Sequence, residues 1–201
     1  MISRETYLNL LNISERQSRR LREYKIAGES SNPATRPAIP LETNPAVAMS
    51  GPSLHGFSYS ARSKQHLATC HPVLIRVMEY VLTLYDHVII EGHRGKEAQN
   101  AAFAAGHSKL RWPNGNHNQL PSIAVDAAPY DPVTKGVNWN TDHRTAAGMA
   151  NIKRFYHFAG LVQGVAHRMN VPIRWGGDWN TNTRFDDQTF DDLVHFELLN
   201  P

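Results

Sequence analysis

"GNHNQLPSIAVDAAPY", residues 115–130, joins a polar stretch broken by glycine and proline to a run of small and branched apolar residues. Ile123-Ala124-Val125 leads straight into Asp126, which raises the question of why a carboxylate interrupts what reads as a buried strand. Residues 122–128 have the alternation of a β-strand that buries Ile123 and Val125. A strand anchored in this way is a rigid mount, so the core can fix Asp126 while its carboxylate serves another purpose. His117 lies in the loop nine positions earlier, too far for one helix face but within reach once loop and strand fold together.

Working outward, "HPVLIRVMEYVLTLYD" (71–86) places Val73, Leu74, Val77, Met78, Val81 and Leu82 on a helical stripe, with Pro72 in the tolerated first turn. "HVII" (87–90) reads as a short strand leading into Glu91-Gly92-His93-Arg94. The alanine-rich "KEAQNAAFAAG" suits a helix closed by Gly106. Residues 107–121 read as loop, and a long helix is expected over about 143–169, with Phe155, Phe158, Ala159, Val162 and Ala166 on its buried side. "VPIRW" and "HFELL" supply two more strands. Helices and strands that do not alternate regularly point to an α+β domain rather than a doubly wound sheet.

Before that domain the texture differs. Residues 1–28 are expected to form a basic helical arm with a capping box at Ser14-Glu15-Arg16-Gln17, and 29–56, rich in Pro, Ser, Asn and Gly, a flexible linker. The catalytic-sized domain is then 57–201. The arm holds six basic and three acidic residues, whereas the rest of the chain balances fifteen of each, so the net charge of +3 belongs to the arm. A solvated or partly disordered extension is the favoured reading of the arm; attraction to anionic polymers or phospholipid is a second, and a nucleic-acid role the weakest. The start "MISRETYLNL" lacks the pattern of a secretory signal, and no apolar run approaches the ~18 residues of a membrane span. A protein made in the cytoplasm, and a monomer, is the expectation. One cysteine, Cys70, excludes an intramolecular disulfide and a multi-cysteine metal site, and eleven histidines direct attention to nitrogen and oxygen ligands.

Two histidines and a carboxylate form a common ligand set for zinc, which makes a water acidic enough to be useful near neutral pH. "FDDLVHFEL" offers Asp192 and His195 three positions apart near the C-terminus, beside His117 and Asp126. Spacing alone is only suggestive, since neither HExxH nor paired CxxC is present. The ordered set "EGHRGKEAQNAAFAAG", "SKLRWPNGNHNQLPSIAVDAAPY", "RWGGDW" and "DDLVHFEL" resembles the zinc peptidase family of bacterial D,D-carboxypeptidases and the L-alanyl-D-glutamate endopeptidase lysins of bacteriophages, most closely the lysins. The resemblance covers residues 57–201 and includes "FSYSARSKQHLATCHPVLIRVMEYVL" as the opening of the domain. It implies a small antiparallel sheet flanked by helices, of the Hedgehog and D,D-peptidase type. It also implies one Zn2+ held by His117, Asp126 and His195, with Asp192 as general base and Arg94 steadying the substrate or the developing oxyanion. The implied partner is the stem peptide of bacterial peptidoglycan, reached after release at lysis. Rivals are a D,D-carboxypeptidase on the same scaffold and a wall-binding module without turnover; Asp192 and Arg94 speak against the latter, because holding a metal needs neither.

Other residues have plainer readings. Asp178, Asn180 and Asn182 alternate as the start of a Ca2+ loop does, but no glycine or closing glutamate completes the pattern, so a polar turn is favoured over calcium. Asp191 competes with Asp192 for the base, and the three-residue step to His195 favours Asp192. Trp112, Trp175 and Trp179 are candidates for lining a peptide groove or for packing. Cys70 beside His71 is read as structural rather than as a thiol nucleophile.

Overall fold

The structure is a computed structural model that describes residues 55–199. The arm over 1–28 and the linker up to residue 54 lie outside the described residues. Four helices and five strands make up the domain: α1 (Ala61–Leu67), α2 (Pro72–Leu84), β1 (His87–Glu91), α3 (Lys96–Ala104), β2 (Ala124–Asp131), β3 (Gly136–Val137), α4 (Ala146–Arg168), β4 (Ile173–Gly176) and β5 (Asp192–Leu198). A 3-10 turn, Asn116–Asn118, precedes β2.

Three of the four helices start where a side chain satisfies a free N–H group; α3 follows Gly95 and has no such cap. Ser60 caps α1 and Thr145 caps α4 through their hydroxyls, and the His71 imidazole accepts from Val73 N–H at the head of α2, with Pro72 next to it. On α2 the stripe Leu74, Val77, Met78 and Val81 is fully buried. On α4 it is Phe155, Phe158, Ala159, Val162, Val165 and Ala166.

All strand neighbours are antiparallel, in the order β1-β2-β5-β4, and β3 pairs with the far end of β2. This is the α+β architecture with a small antiparallel sheet that the sequence implies. The expected strand over 122–128 runs Ala124–Asp131 instead, and seven of its eight residues are buried rather than alternating. β2 is central, with β1 on one edge and β5 on the other, and its burial pattern shows both faces covered. One sheet face, with Ile89, Val125, Ala127 and Phe196, joins α2 and α4 in the hydrophobic core. Asp126, His195 and Glu197 alternate with those residues and so belong to the opposite face.

The core also holds a titratable pair. His87 is 2% exposed, with Nδ1 2.9 Å from the Tyr85 carbonyl, Nε2 2.6 Å from the Tyr59 hydroxyl, and its ring against Phe158. Burial, only partly offset by the Tyr85 hydrogen bond, lowers its pKa from 6.5 to about 4. A group depressed on folding adds stability above its unfolded pKa that is lost as pH falls through the folded one. Stability is therefore expected to drop by on the order of 3 kcal/mol from this residue between neutral pH and pH 4. Urea midpoints for the wild type and His87→Gln should converge on acidification; a constant gap between them would disprove the assignment.

Candidate metal centre

Three neighbouring strands set one row of polar residues on the face away from the helices. Asp126 on β2 pairs directly with His195 on β5 on one side and with Glu91 on β1 on the other. Two irregularities make the row possible. A register shift between Ile89 and Glu91 brings Glu91 opposite Asp126. On β5, Phe196 faces Trp175 while Asp192 faces the next residue of β4, Gly176, so Leu193–His195 bulge from that ladder. In an unbroken strand Asp192 and His195 would point to opposite faces; the bulge re-aims the chain and lets both serve one site.

His117 arrives from the 3-10 turn. Its Nδ1 is 2.7 Å from the Gly92 carbonyl, and its own carbonyl accepts from Arg94 N–H at 2.8 Å, so the 91–94 segment and the turn grip each other. Gly92 is required by close approach: a Cβ there would collide with the His66 carbonyl and the Thr69 hydroxyl at the end of α1.

Asp126 Oδ1, His117 Nε2 and His195 Nδ1 form a triangle with each pair 3.1 Å apart, and all three residues are buried. The outer nitrogens are committed. His117 Nδ1 faces a carbonyl and His195 Nε2 lies 2.9 Å from Glu197 Oε2, so both must donate outward. Three lone-pair atoms are thereby turned on one another at van der Waals range, an arrangement that calls for a cation. Ligands at ~2.0 Å from a tetrahedral ion lie ~3.3 Å apart, so the spacing fits a metal. These residues could hold one. A proton satisfies the same triangle, and the electrostatics favour one there. Burial raises the Asp126 pKa, but the two imidazoles outweigh it and hold the carboxyl far below its usual range. Burial disfavours charge on His195, yet hydrogen bonds to Asp126 and Glu197 lift its pKa to about 9.

Around the triangle stands a ring of supports. Glu197, 4% exposed, is held by Arg174 through two guanidinium nitrogens and by Asn116 Nδ2 at 2.7 Å. Burial pulls the Glu197 pKa up, but its hydrogen bonds to His195, Asn116 and Arg174 bring it down to about 2. Arg94 donates from Nε (2.8 Å) and Nη2 (2.5 Å) to Glu91 Oε2 and reaches Asp126 Oδ2 at 3.3 Å. The Trp179 ring lies 5.3 Å from that of His195, tilted by 34°.

Asp192 lies in the field of the same cluster without bonding to it. Burial and the nearby Asp126 charge raise its pKa, opposed by the two imidazoles. Such a carboxyl, close to ionised ligands and to Arg94, has the character of a proton acceptor and donor. Its rival Asp191 is exposed.

Thus the structure brings His117, Asp126, His195, Asp192 and Arg94 together. It does not bring Trp175 to a groove: the ring is 1% exposed in the core and donates to the Leu193 carbonyl. The 178–188 loop is satisfied internally, with Asp178 accepting from Asn182 and Thr183 N–H groups and Asp187 from the Asn180 and Asn182 amides. Cys70 is buried, which pushes its thiol up to about 12, and His71 is occupied as a helix cap. Sequence reasoning missed Glu91, Gln99, Arg174 and Glu197. Glu197 was legible in principle, since two positions beyond His195 on a strand is the same face.

Residues 55–199 match the profile of the phage L-alanyl-D-glutamate peptidase family. Among solved structures, the chain is similar to the L-Ala D-Glu endopeptidase ChiX of Serratia marcescens, at 25% identity and a TM-score of 0.51, over 70% of this chain and 89% of that one. No curated protein matches it significantly.

Proposed function

The chain belongs to the phage L-alanyl-D-glutamate peptidase family, and from that premise we propose that it is a zinc-dependent endolysin cutting the L-alanyl-D-glutamate bond of peptidoglycan stem peptides. The observation that carries the metal assignment is the triangle of lone-pair donors whose outer nitrogens are both committed. His117, Asp126 and His195 would hold the ion. When bound, zinc supplies Lewis acidity, polarising a carbonyl oxygen and lowering the pKa of a water. Asp192 takes the proton of the attacking water and returns it to the departing amine, a role that its raised pKa supports. Arg94, held in place by Glu91, offers a fixed positive charge to the carbonyl oxygen as negative charge develops there. Likeness to an L-Ala D-Glu endopeptidase supports the bond assignment.

The test combines metal analysis with wall turbidity. Purified protein is expected to carry one zinc per chain, to lose lysis in chelator and to regain it on zinc addition; full lysis in chelator would refute the metal role. New amino-terminal D-glutamate should appear in the digest, whereas free D-alanine without it would assign a carboxypeptidase instead.

Glu197, bonded to His195 Nε2, would hold the ring with Nδ1 toward an ion. Glu197→Gln is expected to weaken zinc binding by about 10–100-fold, measured by competition with a chromophoric chelator; unchanged affinity would leave Glu197 a purely structural partner of Arg174.

A further inference from the structure

A cleft of about 550 Å³ is lined by Asn100, Phe103, Ala104, Arg111 and Trp112. One wall is α3 and the other is the loop that precedes the His117 turn. Gln99, 1% exposed, ties these walls together: its amide nitrogen donates to Ser108 Oγ (2.9 Å) and the Leu110 carbonyl (2.6 Å). Its oxygen faces inward, accepting from Asn118 Nδ2 at 3.1 Å and lying 3.5 Å from Arg94 Nη1. A second link is His93, the neighbour of Arg94, whose ring stands edge-on to Trp112 at 6.4 Å. The cleft is therefore fixed relative to the reacting groups by a buried hydrogen-bonded residue.

Its lining is particular. Phe103 and Trp112 are half-buried aromatic rings, and the Arg111 guanidinium lies 4.6 Å over Phe103. Among the described residues Arg111 makes no ion pair. Flat apolar faces beside a planar donor and the Asn100 amide match an N-acetylated hexose: the C–H face of the ring packs on an aromatic side chain, and hydroxyl and acetamido groups meet the donors. The volume is in the range of small-molecule sites. In a wall stem peptide the alanine nitrogen is acylated by the lactyl arm of such a sugar. Cleavage on the carbonyl side of that alanine thus leaves the sugar one residue from the reacting carbon.

We infer that the α3 cleft is a subsite for the N-acetylated hexose that carries the stem peptide, with Trp112 and Arg111 as its main contacts. The inference rests on the peptidase reading above. It makes the enzyme prefer wall-attached peptide over released peptide, because the sugar adds contacts shared by the bound substrate and its transition state, which lower KM.

The test compares two substrates of the zinc-loaded full chain: L-alanyl-γ-D-glutamyl-L-lysine with its amine acetylated, and the same peptide carrying N-acetylmuramoyl on alanine. The wild type is expected to favour the sugar-bearing substrate by about tenfold in kcat/KM, mainly through KM. In Trp112→Ala and in Arg111→Ala that ratio should fall toward one, and because each variant supplies its own acetyl-peptide rate, loss of folded protein cannot mimic the result. Equal wild-type rates on both substrates would overturn the subsite while leaving the peptidase reading intact, as would a tenfold ratio that survives in both variants. Cleavage of neither substrate would overturn the peptidase reading itself.

Discussion

Asp192→Ala is expected to retain one zinc per chain while losing about 10²–10⁴-fold in the rate of wall lysis, the usual contribution of a positioned general base. Asp192 lies in the field of Asp126, His117 and His195, but its carboxylate is not one of the three converging donors, so its removal leaves the ligand set whole. What disappears is a carboxyl held by burial above the ordinary aspartate range, beside Arg94. Asp192→Asn, which keeps the shape and removes the charge, should be equally impaired. Lysis at the wild-type rate with either variant would remove Asp192 from the chemistry.

The opposite pattern is expected of His117→Ala: zinc content and lysis both fall to background. His117 supplies one corner of the triangle and also, through Nδ1, the tie to Gly92 that orients the loop. Its loss leaves the buried Gly92 carbonyl without that donor. The variant should therefore also be less stable by about 1–3 kcal/mol. Stoichiometric zinc and intact lysis in His117→Ala would place the metal elsewhere. Together the two substitutions separate holding the ion from using it.

Much of this was legible from residue patterns, for identifiable reasons. The α2 and α4 stripes are long and strictly periodic, so helix positions followed directly. The polar residues of the site were individually visible because a carboxylate after Ile123-Ala124-Val125 violates the pattern of a buried strand. Their convergence was not derivable from spacing: it depends on β2 lying between β1 and β5, a matter of long-range pairing. The three-step spacing of Asp192 and His195 suggested partnership, yet on a regular strand it would have separated them, and only the register shift against β4 resolves this. Glu91 and Glu197 escaped notice because a charged residue at a strand end ordinarily faces water. For Trp175 the sequence left groove and packing both open, and the ring lies in the core.

The position of Asp126 within the sheet has a further consequence for the order in which the molecule loosens. Its peptide group lies between two hydrogen-bonded neighbours, so deuterium can reach that amide only through an opening that parts β2 from its partners. Exchange at Asp126 should thus report near-global unfolding, while the 107–115 and 177–190 segments, outside the ladder, exchange through small local excursions. An enzyme arranged this way can let its rim breathe around a bulky polymer without ever releasing the carboxylate at its centre.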